Sequence, residues 1–501
     1  MLDTNNIELL GKKIKSLIDS DRASNLKSKM RQGINYYDSK HDILDYRLFY
    51  FDSNDKLKEE KYRANTKISH GFFTELVDQK VQYLLSNPIE IKTQQEGLQD
   101  YLNEYVNEDF QLILQELVEG ASQKACEYVF WKLDSTNRLI FKTADALKTI
   151  PIYDDNLNIS QMIYYYEDEI AVDGKNKKVI KAQLWTAEQV FYFVSKENND
   201  FVLDDSLEIN PSYHKMVRSN TTGELFGKGY GQVPFIKLSN NKREKTDLEP
   251  IKGLIDDYDL MACSLSNNLI DFDHPIYAVR GFQGDNLDKL TQNLKTRKTV
   301  GVATDGGIDV QTVNIPVEAR KTKLSIDKEG IYKFGMGFDS SQSGDGNITN
   351  VVIKSRYSLL DLKCNKTEIR LRAVIKQMLE LIVQNINELH NKAYDTSDIE
   401  IIITRDVMAN ETDNVTIDKI EAETKQILIN NIMTAATRLD DRTVLELLAD
   451  VLQVDADDVE KKLDEQNYHA DFNRQTEVID VGVEQISEGD RDTPVESRQK
   501  H

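Results

Sequence analysis

Apolar residues recur at helical spacing from residue 5 to about residue 120. Ile7, Leu10, Ile14 and Leu17 fall on one helix face, and a second stripe ends before Pro88. The second stripe contains Phe73, Leu76, Val77, Val81, Leu84 and Leu85. Because residues three or four positions apart share one face of a helix, the two segments predict helices that pack against a core.

The pattern changes between about residues 126 and 240. Short runs of aromatic and β-branched residues, such as Met162 to Tyr166 and Val190 to Val194, alternate there with clusters of Asn, Asp and Gly. Runs of this length and composition favour strands separated by turns. The segment therefore predicts a β-rich domain.

Helical spacing returns at Pro250 and continues to the DFDHP stretch at 271–275. Proline is well tolerated in the first turn of a helix, so we predict one long amphipathic helix from this point. Residues 272–318 are β-like and contain glycine, which predicts a small inserted module. After a short apolar segment around Ile331, residues 336–355 are rich in Gly, Ser, Asn and Asp and predict a mobile loop.

The strongest helical pattern in the chain follows this loop. Its apolar positions stay in register over roughly 50 Å at about 1.5 Å per residue, so this helix needs partners along its whole length. The apolar positions of this helix are Leu359, Leu362, Ile369, Leu371, Val374, Ile375, Met378, Leu379, Ile382, Ile386 and Leu389. Beyond it, residues 398–404 predict a buried strand, residues 416–466 predict two or three helices, and residues 467–501 predict a disordered polar tail.

Composition narrows the class of protein. With 501 residues, 40% of them apolar, the chain is long enough to form several folded units. Its net charge of -22 repels polyanions, unlike the surface of an ordinary nucleic-acid-binding protein. The widely spaced Cys126, Cys263 and Cys364 predict reduced, buried thiols in a cytosolic setting. No segment approaches the length of a membrane span and no export signal is visible, so we expect a soluble protein without membrane contact.

No motif of a common enzyme class is present in the sequence. It lacks a GxxxxGKS or GxxxxGKT phosphate loop, an HExxH helix, paired CxxC motifs and a GxSxG turn, and its seven histidines are scattered singly. The glycines at 227–231 precede a strand, and the calcium-like run from Asp339 has Asn350 where a glutamate is required. We therefore expect no catalysis, no cofactor and no metal site.

Five strings read together resemble one family, the portal proteins of tailed phages that infect Gram-positive bacteria. The similarity runs from about residue 30 to about residue 465. The last of the five strings, with its order of glycines, loop and long helix, is the most specific. The strings are NYYDSKHDIL at 35–44, KISHGFFTELVDQKVQYLLSNPI at 67–89, YGQVPFIKLSNNK at 230–242, DLEPIKGLIDDYDL at 247–260 and MGFDSSQSGDGNITNVVIKSRYSLLDLKCN at 336–365.

The resemblance implies the architecture of this chain. We expect an α+β portal fold with long stem and wing helices, a β-rich wing domain, a small α/β clip and a helical crown. About twelve copies would close into a ring by repeated head-to-tail contacts. The implied segments are 1–248 for the N-terminal helices and β-rich wing, 249–270 and 321–335 for the stem helices, 271–320 for the clip, 336–355 for the tunnel loop, 356–415 for the long wing helix and strand, 416–466 for the crown and 467–501 for the tail.

The resemblance also implies a function. The ring would be the channel at one capsid vertex for packaging, retention and ejection of double-stranded DNA. Its implied partners are further copies of the chain, the DNA, the terminase large subunit, the scaffolding and major capsid proteins, and the head-tail connector proteins. We expect it in the virion and, during assembly, in the host cytoplasm.

Two groups of residues are candidates for contact with DNA or a partner. Because each phosphate neutralised by a cation adds affinity, a channel wall with few cations would let the duplex slide. We expect the tunnel loop to offer such weak contacts, although simple solvation explains any one of its residues equally well. A basic patch in the clip would face DNA at the exit or, as we prefer, an acidic partner. The loop group is Ser340, Ser341, Gln342 and Asn347 with Lys354 and Lys333 as sparse cations, and the patch is Lys289, Lys295, Arg297 and Lys298.

Two other functions stay open from the sequence. A structural capsid or head-tail adaptor would have a similar composition but would not touch DNA. A metal-dependent nuclease of the packaging machinery is suggested only by the carboxylates of Asp256, Asp257 and Asp259. Their spacing along one helix predicts a solvated helix face instead.

Overall fold

The computed structural model divides into two compact units, Met1–Met408 and Ala409–His501. Each unit is described by itself. The structure describes residues 2–61, 63–172, 175–195, 200–218, 224–272, 276–282, 286, 290, 302–311, 314–339, 341, 350–405, 411–452, 454–456 and 458–459.

The N-terminal part of the first unit is helical, as the apolar spacing predicted. Three of its helices begin at a side chain that accepts a hydrogen bond from the first turn: Asn6, Ser24 and Asn107 accept from the amides of Leu9, Lys27 and Phe110. Such caps satisfy backbone N–H groups that have no partner inside the helix. The helices are α1 (Ile7–Arg22), α2 (Asn25–Tyr37), α3 (Phe72–Leu84), α4 (Leu98–Tyr105) and α5 (Glu108–Lys124).

The β-rich domain predicted between residues 126 and 240 is confirmed. Its larger sheet has the order β10-β9-β8-β7-β6 with β11 paired to β9, and its smaller sheet has the order β14-β4-β5. The strands are β4 (Cys126–Leu133), β5 (Leu139–Ala144), β6 (Thr149–Tyr153), β7 (Ile159–Val172), β8 (Lys175–Trp185), β9 (Gln189–Ser195), β10 (Phe201–Leu203), β11 (Ser212–Tyr213), β12 (Lys215–Arg218), β13 (Leu225–Lys228) and β14 (Phe235–Ser239). Helix α1 covers the larger sheet because its buried Leu10, Ile14 and Ile18 pack into one cluster with strand residues.

Three helices form the rest of the main core: α6 (Lys252–Asp271), α7 (Val317–Gly335) and α8 (Asn350–His390). Helix α7 begins four residues before the predicted 321, and α8 begins six residues before the predicted 356. The C-terminal two thirds of α8 pack into the same apolar cluster as α3, α4 and α5. The core of this unit therefore lies between the N-terminal helices and α8.

Short antiparallel ribbons complete the first unit. They are β1 (Phe49–Phe51) with β2 (Leu57–Glu59), β15 (Ile276–Phe282) with β16 (Val302–Gln311), and β3 (Glu90–Lys92) with β17 (Glu400–Ile402). The strand predicted at 398–404 is thus shorter than expected. It is also not buried, because β17 pairs only with β3 and its three residues are exposed or half-buried.

The second unit contains α9 (Glu411–Ala435), a 3-10 turn at Ala436–Arg438 and α10 (Asp441–Leu452). This confirms the helices predicted within residues 416–466. Val444 and Ala449 are the buried apolar residues of α10. The tail predicted at 467–501 lies outside the described residues.

Cys126, Cys263 and Cys364 are free and buried, as the sequence predicted. Burial raises the pKa of the Cys126 and Cys364 thiols to about 11. Because a thiol is reactive as the thiolate, these two residues are inert packing groups at neutral pH.

A buried ionic network joins the segments of the main core. The Lys80 ammonium on α3 donates to Ser122 Oγ at 2.9 Å, Asn240 Oδ1 at 2.7 Å and Asp247 Oδ2 at 3.0 Å. Lys363 on α8 lies 3.2 Å from the same carboxylate. Burial alone would raise the pKa of Asp247, but Lys363 and Lys80 outweigh it and hold that pKa far below the ordinary value. Asp247 is therefore ionised between two ammonium groups.

We predict that Asp247→Asn destabilises the fold by roughly 3 to 5 kcal/mol, because it leaves two mostly buried ammonium groups without a counter-charge. The measurement is urea unfolding followed by the fluorescence of Trp131 and Trp185. Glu90→Gln is the matched control, since it breaks the exposed pair with Lys92 and should leave the unfolding midpoint unchanged. Equal midpoints for the two variants would show that the network does not stabilise the core.

Candidate functional site

Helices α6 and α7 pack against each other as an antiparallel pair. In the sequence, α6 precedes the β15–β16 ribbon and α7 follows it. Their contact is close because residue 330 is a glycine: an added Cβ would lie 3.2 Å from Leu254 of α6. The Lys323 ammonium on α7 also pairs with Asp257 on α6 and with the buried Asp327 of its own helix. Apolar packing and an ion pair together hold the two helices in one register.

The first half of α6 is fixed to the N-terminal helices through Asp259. This carboxylate is fully buried, with Oδ2 at 2.6 Å from His41 Nδ1 and Oδ1 at 2.7 Å from His70 Nδ1. The backbone amide of His70 donates to the same Oδ1 at 3.1 Å. Burial would raise the pKa of Asp259, but the hydrogen bonds from His41 and His70 outweigh it and lower that pKa.

The second half of α6 is held by an extended segment at 63–70. The amides of Ala64, Thr66 and Ile68 donate to side chains of α6, at 3.0, 2.6 and 3.2 Å respectively. The acceptors are Asp271 Oδ1, Asn267 Oδ1 and Cys263 Sγ. Side chains of the helix thus satisfy backbone groups of a segment that has no regular secondary structure.

The prediction of one solvated acidic face on α6 is wrong for Asp259. Asp256 pairs with Lys252 and accepts from Tyr36, Asp257 pairs with Lys323, and Asp259 is buried between two histidines. The three carboxylates have separate partners and do not converge on one point. Across the residues that the structure describes, no group of three or more His, Cys, Asp or Glu side chains is arranged to hold a metal ion.

Helix α7 ends in a tight turn against α3. Met336 adopts a left-handed conformation with φ of 57°, and the amide of Gly337 donates to the carbonyl of Tyr332 at 3.0 Å. A Cβ at Gly337 would lie 2.2 Å from a Leu76 side-chain carbon, so any larger residue at this position would force the Leu76 side chain on α3 to move. The turn therefore reverses the chain in direct contact with the core.

The segment after this turn is clamped by side chains. Gln79 on α3 accepts from the Phe338 amide at 3.1 Å and donates to the Phe338 carbonyl at 2.8 Å. The Lys328 ammonium on α7 lies 2.8 Å from Asp339 Oδ2 and donates to Ser341 Oγ at 2.7 Å. Burial would raise the pKa of Asp339, but the hydrogen bonds from Lys328 and Ser341 outweigh it and lower that pKa.

The described chain resumes at Asn350, where α8 begins. On α8, the Lys363 ammonium donates to the carbonyl of Gly335 at 2.9 Å while pairing with Asp247. Lys363 thus ties α8 to the end of α7 and to the ionic network of the core.

The predicted contact residues fall in different places. Ser341 bonds to Asp339 and Lys328 within the chain. Lys333 is exposed on the last turn of α7, and Lys354 lies in α8, not in a loop. The candidates outside the described residues are Ser340, Gln342, Asn347, Lys289, Lys295, Arg297 and Lys298.

Sequence reasoning missed the residues that position these elements. His41 and His70 are isolated in the sequence but meet at Asp259, and Gln79 reaches Phe338 across 259 positions. The only local signal was that Gln79 and His70 both belong to the string KISHGFFTELVDQKVQYLLSNPI, which was used for recognition. No periodicity or motif identified their partners.

Comparison with known proteins assigns the family. A family model described as "Phage portal protein, SPP1 Gp6-like" matches residues 18–476. The chain belongs to the phage portal protein family. It is 31% identical over 349 residues to the portal protein of Bacillus phage SPP1, covering 69% of this chain and 67% of that protein. It is 26% identical over 424 residues to the portal protein of Clostridium phage phiCD119, covering 81% of this chain and 88% of that protein.

A solved structure is also similar to the portal chain. The matching chain comes from the neck of a native GTA particle and is 13% identical to the portal chain, with a TM-score of 0.36. The match covers 75% of the portal chain and 89% of the matching chain. The likeness is too weak to bear on the family assignment. Among the described helices of the portal chain, none is both long enough and apolar enough to cross a membrane.

We predict that Gln79→Ala releases the segment after α7, because one side chain provides both hydrogen bonds to Phe338. Each such bond contributes about 1 kcal/mol, so hydrogen exchange of the amides at 337–339 should rise roughly tenfold or more. Gln111→Ala is the matched control, since Gln111 bonds to both the amide and the carbonyl of Ile89 in the same way. Unchanged exchange at 337–339 in the Gln79 variant would contradict the clamp.

Proposed function

We propose that copies of this chain form a ring-shaped channel at one capsid vertex, through which double-stranded DNA is packaged, retained and ejected. The observation that carries the proposal is membership of the phage portal family across residues 18–476. Members of that family form oligomeric rings in the phage particle. The ring in this proposal contains about twelve subunits related by repeated head-to-tail contacts.

The antiparallel pair α6 and α7 supports a stem role. The pair is 20 and 19 residues long, which gives about 30 Å at 1.5 Å per residue. Its register is fixed by the Gly330 contact and by Lys323, and α6 is tied to the wing through Asp259. A rigid pair of this length suits the wall of a channel, and the β15–β16 ribbon at its far end suits the clip.

The clamped ends of the segment at 336–355 support a tunnel-loop role. Gln79 and Lys328 fix its start, and α8 fixes its end. The intervening sequence is rich in Gly, Ser and Asn and offers hydroxyl and amide groups rather than cations. Weak polar contacts hold a duplex in place without the affinity that phosphate neutralisation would add.

The overall charge agrees with a conduit for DNA. With a net charge of -22 the chain repels a polyanion on average, and the few cations proposed to face the duplex are Lys333 and Lys354.

The basic patch at 289–298 would then contact an acidic partner at the exit of the channel. We propose the terminase large subunit during packaging and head-tail connector proteins afterwards, with scaffolding and major capsid proteins contacting the ring during assembly in the host cytoplasm.

Electron microscopy of the purified protein tests the ring. We expect rings with a central opening of about 20 Å or wider, the diameter implied by the groove dimensions of a DNA duplex. The same preparation, incubated with magnesium and linear DNA, should leave the DNA uncut. Solid particles without an opening would favour an adaptor that does not contact DNA, and cleavage would favour a nuclease.

Deleting residues 340–347 tests the tunnel loop. The deletion should leave rings intact, because the ion pairs and helices that hold the subunit lie elsewhere, and should reduce the amount of DNA packaged per particle. A Gly-Ser replacement of equal length is the control and should package more DNA than the deletion. Loss of rings in the deletion variant would contradict the assignment of this segment.

A further inference from the structure

Helix α8 has apolar residues on two opposite faces in its N-terminal half. Leu360 and Cys364 are buried in the core, whereas Leu362 is 48% exposed and Ile369 is 73% exposed. At about 3.6 residues per turn, Ile369 lies two and a half turns from Leu360 and therefore points the opposite way. The sequence placed Leu359, Leu362, Ile369 and Leu389 on one stripe with the buried apolar residues from Leu371 to Ile386, and for these four the prediction of a common buried face is wrong.

The residues on this face form what we call the outer stripe: the exposed Leu359, Leu362, Lys366 and Ile369 with the half-buried Arg370. It extends about 16 Å along the helix at about 1.5 Å per residue. Within the described chain, the Lys366 and Arg370 side chains make no ion pair. A helix that is apolar on both faces belongs in an interface, so the outer stripe is a surface that one subunit leaves uncovered.

An open groove lies beside the N-terminal half of α8, on the side of the helix opposite to the outer stripe. Its volume is about 1030 Å³, and it runs along α3 between the end of α2 and the first turns of α8. Aromatic rings form its wall near α8: Tyr357 lies 5.6 Å from Tyr83 and 4.5 Å from Phe338, measured between ring centroids. We call this feature the acidic groove because Glu75 and Asp78 of α3 line it.

Charge at the groove complements charge on the stripe. Among the described residues that line the groove there is no Lys or Arg. Burial raises the pKa of Glu119 next to it, and the carboxylates of Asp78 and Glu116 add to that rise, which indicates concentrated negative charge. The stripe offers apolar side chains interleaved with two cations, and the groove offers aromatic rings interleaved with carboxylates.

We propose that the outer stripe of one subunit docks into the acidic groove of the next copy of this chain. The inference rests on the ring proposed above and goes beyond it by naming the two surfaces. A closed ring built by rotation needs two different, complementary surfaces on opposite sides of each subunit. The stripe and the groove meet this requirement, since Leu360 lines the groove while Leu362 and Ile369 face away from it.

Substitutions on the two surfaces test this pairing. Ile369→Asn replaces the most exposed apolar side chain of the stripe by a neutral polar one, and the double variant Asp78→Lys with Gln82→Lys puts two cations in the groove, at exposed positions of α3. Each variant alone should lose rings and sediment as a single chain. Mixed in equal amounts, they should form complexes of two subunits and no larger, because one intact stripe and one intact groove remain.

Controls separate a broken interface from a broken fold. Leu389→Asn changes another exposed apolar residue, 41% exposed and at the other end of α8, and should keep the rings. Circular dichroism and urea unfolding of each variant should match the unsubstituted chain. Rings from either interface variant, or any product of the mixture other than two-subunit complexes, would overturn the pairing. Absence of rings in the unsubstituted protein would instead overturn the proposed function.

Discussion

The ion pairs of Asp247 with Lys80 and Lys363 are the constraint on which the rest of the first unit depends. Asp247 lies in the segment before α6, Lys80 is on α3, and Lys363 is on α8 and donates to the last carbonyl of α7. Because the three charges are largely removed from water, each requires the other two to remain in place. One cluster therefore links the segment before α6, the end of α7, α3 and α8.

The same kind of side-chain contact ties the other helices of the portal chain together. Helix α6 is held against the N-terminal helices by Asp259 and against α7 by Lys323. Gln79 of α3 holds the chain at Phe338, just after α7. Each of these contacts joins segments that are far apart in the sequence.

Much of the fold could be predicted from the sequence, because helical and strand periodicity report local geometry. The helices, the β-rich domain and the two-helix second unit lie where the patterns placed them, with boundaries shifted by four to six residues at α7 and α8. The candidate site was predicted less well. Ser341 is bonded within the chain, Lys354 is helical, and the clamp by Gln79 was not foreseen, because these depend on contacts between distant segments.

The sequence by itself determined the secondary structure, the acidic charge, the buried thiols and the family, since each depends on local pattern or on shared strings. Only the tertiary structure decided which of two apolar faces of α8 is buried, that Asp259 lies between His41 and His70, and which carboxylates stay exposed. The physical reason is that periodicity shows which residues share a helix face. What covers that face depends on segments hundreds of positions away and, in a ring, on another copy of the chain.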